Sequence, residues 1–242
     1  VFIDRIAFLG SARNEAPGIY VGASAVTEKI STQEIDNLLL EYTEAQLALV
    51  KLEARNDKNH EHLYVHLPDR TIVFDASASK ALETAVWFTL TTTLVGFAQY
   101  RARNMVWVYD KWMVGDPQSA SIGYLVQDTG HHWGQQVRWE FGTLIVYNES
   151  NGAIFNEMEL VSLTGSIALG DNPQISTSYS LDGQTYSQEK FIYIGTIGNR
   201  GRRLAWFQQG HMRNWRIQRF RGDSDAHVSY VRLEAQIEAL AY

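Results

Sequence analysis

Three histidines, His60, His62 and His66, recur at even spacing around the segment Glu61-His62-Leu63-Tyr64-Val65-His66-Leu67. On an extended strand alternate residues share a face, so the three imidazoles fall on one side and could converge on a single cation. Zinc needs three or four fixed ligands with supporting hydrogen bonds, and nothing nearby in the sequence completes this set. No metal site is therefore assigned, and an exposed polar strand face is the simpler reading. The adjacent pair His131-His132 is a poorer candidate, because neighbours on a strand point to opposite sides. Glu157 and Glu159 share a strand face at the short separation, about 5 Å, that retaining glycosidases use. Solvated strand faces carry such pairs far more often, so no catalytic residue is assigned. Neither a G-x-S-x-G elbow nor a G-x-x-x-x-G-K-[ST] loop occurs. Gly195, Gly198 and Gly201 have a G-x-x-G-x-x-G spacing between strands, which is not the dinucleotide fingerprint, so no cofactor is expected.

The distribution of arginine is more pointed. Arg200, Arg202, Arg203, Arg213, Arg216, Arg219 and Arg221 follow one another with no Asp or Glu between them, interleaved with Trp206, Phe207, Trp215 and Phe220. Such a mixture serves nucleic-acid stacking or a protein interface, where Trp and Arg dominate binding energy. The formal net charge of -6 weighs against broad phosphate neutralisation. In Trp215-Arg216-Ile217-Gln218 the apolar pair is expected to face the core and Arg216 and Gln218 to face outward. Arg202, Arg203, Arg213, Arg216 and Arg219 are accordingly nominated as an interface with a subunit or partner.

The elements that carry these residues are mostly strands. The chain has 242 residues, 45% of them hydrophobic, and no cysteine, which excludes disulfides, thiol catalysis and Cys-ligated metal centres. The richest apolar stretch, Ala85 to Ala98, is interrupted by Thr89, Thr91 to Thr93 and Gly96, so no transmembrane helix is expected. The first residues lack the pattern of a signal peptide, and with Val at position 1 the chain reads as the C-terminal part of a longer protein. Leu63, Val65 and Leu67 share a face, Pro68-Asp69-Arg70 supplies a turn, and Thr71 to Phe74 returns as a second strand. A further strand, Val86 to Leu90, follows a loop rich in Ala and Ser. The grammar recurs in Met105 to Tyr109, Trp112 to Gly115 and Ile122 to Val126, a period of roughly 40 to 50 residues that marks propeller blades. Ile6 to Leu9 with Gly18 to Val21 reads as part of an earlier blade. One inserted helix is expected at about residues 31–45, with Ser31 and Glu34 as a capping box and Ile35, Leu38, Leu39 and Tyr42 as its apolar stripe; Leu40 lies on the far side, where it could meet another subunit. The fold class is thus mainly β, with partial β-propeller blades over residues 1–129 and a β-sandwich over 130–242. An Asp182-Gly183 two-residue turn and a last strand with Val231, Leu233, Ala235 and Ile237 on one face belong to the sandwich.

Several strings in this frame resemble one family. His66-Leu67-Pro68 with Val73-Phe74-Asp75-Ala76-Ser77, Val114-Gly115-Asp116, Glu159-Leu160 with Thr164-Gly165, Ser180-Leu181-Asp182-Gly183 and Arg216 to Phe220 occur in the order seen in the packaged-DNA stabilization proteins of short-tailed double-stranded DNA phages, also called tail accessory factors or tail hubs. The similarity runs from about Ile6 to the C-terminus and corresponds to the C-terminal half of the family's longer protein. The resemblance implies a virion structural protein of the phage tail, present in the host cytoplasm before assembly. It implies a hexameric ring below the portal and its adaptor, closing the DNA exit channel and contacting the tail needle and tailspikes. It implies no catalytic centre, no cofactor, no membrane and no sequence-specific nucleic-acid binding. The rival reading is a carbohydrate-binding or glycan-hydrolysing module, which would show an aromatic-lined groove with a carboxylate pair.

Overall fold

The computed structural model describes residues 2–11, 14–24, 26–149, 151–167, 171–226 and 228–240. The chain divides into two compact units, Val1–Leu125 and Val126–Tyr242. Among the described residues no helix is long and apolar enough to cross a membrane.

The first unit contains three antiparallel sheets. β1 (Ile6–Gly10), β2 (Gly18–Ala23) and β3 (Val26–Lys29) form the first. After α1 (Gln33–Leu40) and α2 (Glu44–Leu47) comes a four-stranded meander, β4 (Lys51–Asp57), β5 (His60–His66), β6 (Thr71–Asp75) and β7 (Trp87–Leu90), with α3 (Ala76–Leu82) between the last two strands. β8 (Arg103–Val108), β9 (Lys111–Gly115) and β10 (Ile122–Tyr124) form the third. The turn between β8 and β9 rests on Tyr109 and Asp110, both at positive φ, the conformation a tight hairpin of this twist demands.

The four-stranded sheet is covered on both faces, which corrects the half-buried strand expected for 61–67. Leu63, Val65 and Leu67 pack with Ile19, Val21 and Leu39 from the first sheet and α1. On the opposite face Tyr64 and His66 are also buried. There Arg55 lies over the Trp112 ring at 5.7 Å, and the Asn104 amide donates to Glu53 Oε1 at 2.8 Å.

The single helix expected at 31–45 is two. Thr43 is extended and its hydroxyl accepts from the Gln46 amide, so the capping box belongs to Thr43 and Gln46 and restarts the helix. Ser31 instead accepts from the Ile19 amide and donates to Asp36, fastening the segment to β2. The apolar stripe stands as expected, with Leu39 buried and Ile35, Leu38 and Tyr42 packed around it, while Leu40 is exposed. The Ala/Ser-rich stretch read as a loop is α3. Asp75 closes its N-terminus by accepting from the Ala78 amide, and Glu83 ends it in the left-handed conformation.

The second unit has a small hairpin, β11 (His131–His132) with β12 (Gln135–Gln136), and two larger sheets. One contains β13 (Trp139–Gly142), β14 (Val146–Tyr147), β16 (Gln174–Ser180), β17 (Lys190–Tyr193) and β20 (Trp215–Gly222), and the other β15 (Ala153–Leu163), β18 (Ala205–Phe207), β19 (His211–Met212) and β21 (Ser229–Ala239). In the first, β20 lies between β16 and the β13/β14 edge. In the second, β15 lies between β21 and the β18/β19 edge. Ile175 and Phe220 from one sheet meet Leu160 and Trp206 from the other in a common core.

Two details of register differ from the sequence reading. In β21 the pairing steps from Val161↔Arg232 to Ser162↔Tyr230, so Val231 is an extra, bulged residue. Side-chain parity inverts there: Tyr230 and Leu233 reach the core, whereas Val231 between them is exposed; Ile237, which keeps the parity of Leu233, is exposed as well. The Asp182-Gly183 segment is a longer connection between β16 and β17, in which Asp182 Oδ1 accepts from the Gln184 and Thr185 amides at 2.9 and 2.7 Å. Gly183 does hold a positive φ of 76°.

Gly222 is a site of close approach. It pairs with Trp139, and a Cβ placed on it would lie 2.4 Å from Trp139 Cζ2. Gly222→Ala should therefore destabilise the chain by about 1–3 kcal/mol, since the indole must leave its packed position. Chemical denaturation followed by tryptophan fluorescence checks this, and an unchanged midpoint would show that the indole yields freely.

Candidate functional site

The arginine-rich segment is built around β20. Its burial alternates, with Arg216, Gln218, Phe220 and Gly222 inward and Trp215, Ile217, Arg219 and Arg221 half-covered on the other side. The expected parity is thus reversed. Phe220 sets it, because a fully buried aromatic in a central strand carries residues two and four positions earlier to the same face. Gln218 and Arg216 must follow.

Among the described residues Arg216 is the largest fully buried side chain. Its guanidinium lies between the Phe155 ring at 4.3 Å and the Tyr179 ring at 3.9 Å. Nε and Nη2 donate to Gln218 Oε1 at 3.0 and 2.7 Å, and Nη1 donates to the Gln209 carbonyl at 2.7 Å. Gln218 passes the network on, donating from Nε2 to Thr177 Oγ1 at 2.5 Å. Among the described residues no carboxylate forms an ion pair with Arg216. Burial pulls its pKa down to about 10, so it remains a cation at neutral pH. Ring faces and oriented carbonyls replace a counter-ion. Arg216 therefore joins the two sheets from inside and is removed from the nominated surface.

The other nominated arginines lie elsewhere. Arg202 and Arg213 are exposed, Arg202 donating from Nε to the Tyr193 carbonyl at 2.7 Å. Arg203 is exposed but engaged: it bonds Glu157 Oε1 at 2.6 Å and reaches Glu159 through Nε at 2.9 Å. Arg219 is mostly covered, with its guanidinium 3.5 Å from the Tyr186 ring centre and 3.8 Å from Glu189, a carboxylate shared with Arg221. The structure brings no two of these into a common cluster with Arg216.

The carboxylate pair is accounted for by the same contacts. Glu157 and Glu159 do share a face of β15, and Arg203 clamps both. The guanidinium holds Glu159 below the usual carboxylate range, the opposite of what a proton donor needs.

The three histidines separate into two groups. His66 is buried between Thr71 Oγ1, 2.9 Å from Nδ1, and Glu53 Oε2, 3.2 Å from Nε2. His60 and His62 instead approach Asp75 across the β5–β6 hairpin. The sequence reading does not group Asp75 with the histidines, although the turn at Pro68-Asp69-Arg70 fixes a register that places it opposite His62.

Residues 1–130 match the family model described as bacteriophage P22 Gp10, beta-propeller, and residues 138–238 match that described as bacteriophage P22 Gp10, beta-sandwich. The chain belongs to the P22 Gp10 family. A curated relative, the tail hub protein gp10 of Salmonella phage P22, is 27% identical over 212 residues, covering 88% of this chain and 43% of the relative. This chain thus spans less than half the length of that tail hub protein. The fold is that of the Gp10 family, an N-terminal β-propeller domain followed by a β-sandwich domain, as the strand pattern of the sequence predicts.

Proposed function

We propose that this chain is a structural component of a phage tail, located in the virion after passing through the host cytoplasm. Its role is to join a hexameric ring below the portal and adaptor, help close the DNA exit channel on the packaged genome, and bridge to the tail needle and tailspikes. The observation that carries the reading is the match of both units, in order, to the two Gp10 domains, together with identity to a tail hub protein over 88% of the chain. The side-chain chemistry agrees with a mechanical role. The carboxylate pair is neutralised by Arg203, and the deeply buried Arg216 ties two sheets together. No reaction is assigned to the chain.

In this reading Arg202, Arg203 and Arg213 supply the outward contacts, with Arg219 limited to its exposed rim. Many modest contacts, repeated by ring symmetry, sum to a strong attachment. Co-sedimentation of the purified chain with portal-bearing capsids tests this, and a folded chain that stays in the supernatant would overturn it. Arg213→Glu should leave stability within about 0.5 kcal/mol of the parent, as for most exposed positions, while sharply reducing the co-sedimenting fraction. Undiminished attachment by that variant would remove Arg213 from the contact surface.

A further inference from the structure

We propose that His60, His62 and Asp75 form a binding site for one divalent transition-metal ion of the zinc class. Their candidate ligand atoms all lie within 4.8 Å of one another. His60 Nδ1 is 2.6 Å and His62 Nε2 3.4 Å from Asp75 Oδ2. In a tetrahedral site with bonds near 2.0–2.1 Å, ligand atoms stand about 3.3 Å apart, so the distances bracket what such an ion requires.

The backbone brings the set together. His60 and His62 are alternate residues on one face of β5, and their rings stack with centroids 5.8 Å apart and an interplanar angle of 25°. Asp75 is the cross-strand partner of His62 and the last residue of β6. Its second oxygen, Oδ1, accepts from the Ala78 amide at 2.9 Å, and its carbonyl accepts from Ser79 Oγ at 2.5 Å. The start of α3 thus aims Oδ2 at the imidazoles, the kind of outer support that orients metal ligands.

His62 supplies an independent observation. Its Nε2 stands 3.4 Å from Asp75 Oδ2, long for a hydrogen bond. The Phe88 ring packs edge-on against it, with centroids 5.7 Å apart. A half-buried imidazole whose Nε2 lies this far from its carboxylate gains a strong bond when a cation sits between the two. His60 has 49% of its side chain exposed, which leaves an entry path and room for water to complete the coordination. Two nitrogens and one oxygen favour zinc, nickel or cobalt over magnesium or calcium, which take oxygen ligands. The ion would join β5, β6 and α3 at one end of the four-stranded sheet.

Titration of the untagged chain with zinc chloride, followed by calorimetry, should show one ion bound per chain. His60→Ala and His62→Ala should each weaken binding by well over about a hundredfold, beyond the roughly 10–100-fold that loss of an outer support costs. A double His131→Ala, His132→Ala variant should bind as the parent does. Zinc should raise the melting temperature of the parent and leave that of His60→Ala unchanged. Because His60 is half exposed, its variant is expected to fold, and circular dichroism checks this. No zinc uptake by the parent, full binding by folded His60→Ala, or loss of binding in the His131/His132 variant would each overturn the proposal.

Discussion

Arg216→Glu is expected to prevent the C-terminal unit from folding, a far larger effect than the loss of a surface contact. The glutamate carboxylate would be enclosed by the Phe155 and Tyr179 rings and would face Gln218 Oε1 and the Gln209 carbonyl, all of which repel negative charge. Leaving a buried charge uncompensated costs about 3–5 kcal/mol, a large part of the roughly 5–15 kcal/mol that holds a domain together. Arg216→Met separates charge from volume. It removes the cation that must be kept from water but strands two acceptors, so it should fold with a loss of about 1–3 kcal/mol. Soluble yield and far-ultraviolet circular dichroism distinguish the two variants. A glutamate variant that melts at the parental temperature would mean that Arg216 is accessible to water, contrary to the geometry.

The second large effect is expected at Phe220. Its ring is fully buried, 5.6 Å from Trp206 and 5.3 Å from Phe141, at the centre of the core shared by the two sheets. Phe220→Ala deletes the ring from between partners on β13 and β18, which strands on their own backbones hold in place, so the space cannot close fully. A loss of about 3–5 kcal/mol follows from the removed transfer energy and the residual cavity. Trp139 and Trp206 lie close enough to report the transition by fluorescence in urea. A midpoint shift corresponding to less than about 1 kcal/mol would show that this core repacks without cost.

What could be read from the sequence depended on whether a residue's neighbours along the chain determine its environment. The β5–β6 and β8–β9 hairpins were legible because Pro68-Asp69-Arg70 and Tyr109-Asp110 mark turns between alternating apolar residues. By contrast, α3 is hard to see because Ala and Ser also compose loops, although Ala favours helix strongly and Asp75 is a good cap. The orientation of β20 is ambiguous in the sequence because Trp215 and Ile217 carry one parity and Phe220 the other. Only the facing sheet decides between them, by covering Arg216 with Phe155. Asp75 could have been found by counting register back through the hairpin, since His66 opposite Thr71 places His62 opposite Asp75. The bulge at Val231 has no local signal, because it is a property of how β21 pairs with β15.

That bulge also bears on how chains of this kind behave when crowded. β21 is the longest border of the sandwich, 11 residues paired on one side by β15. A straight, apolar border of that length would act as a template for fibre growth by strand addition. Val231 kinks it near its start, and Arg232, Glu234 and Glu238 place charges along it. The same irregularity that misleads a reading of side-chain alternation thus gives copies packed at high density a barrier against amyloid-like zippering.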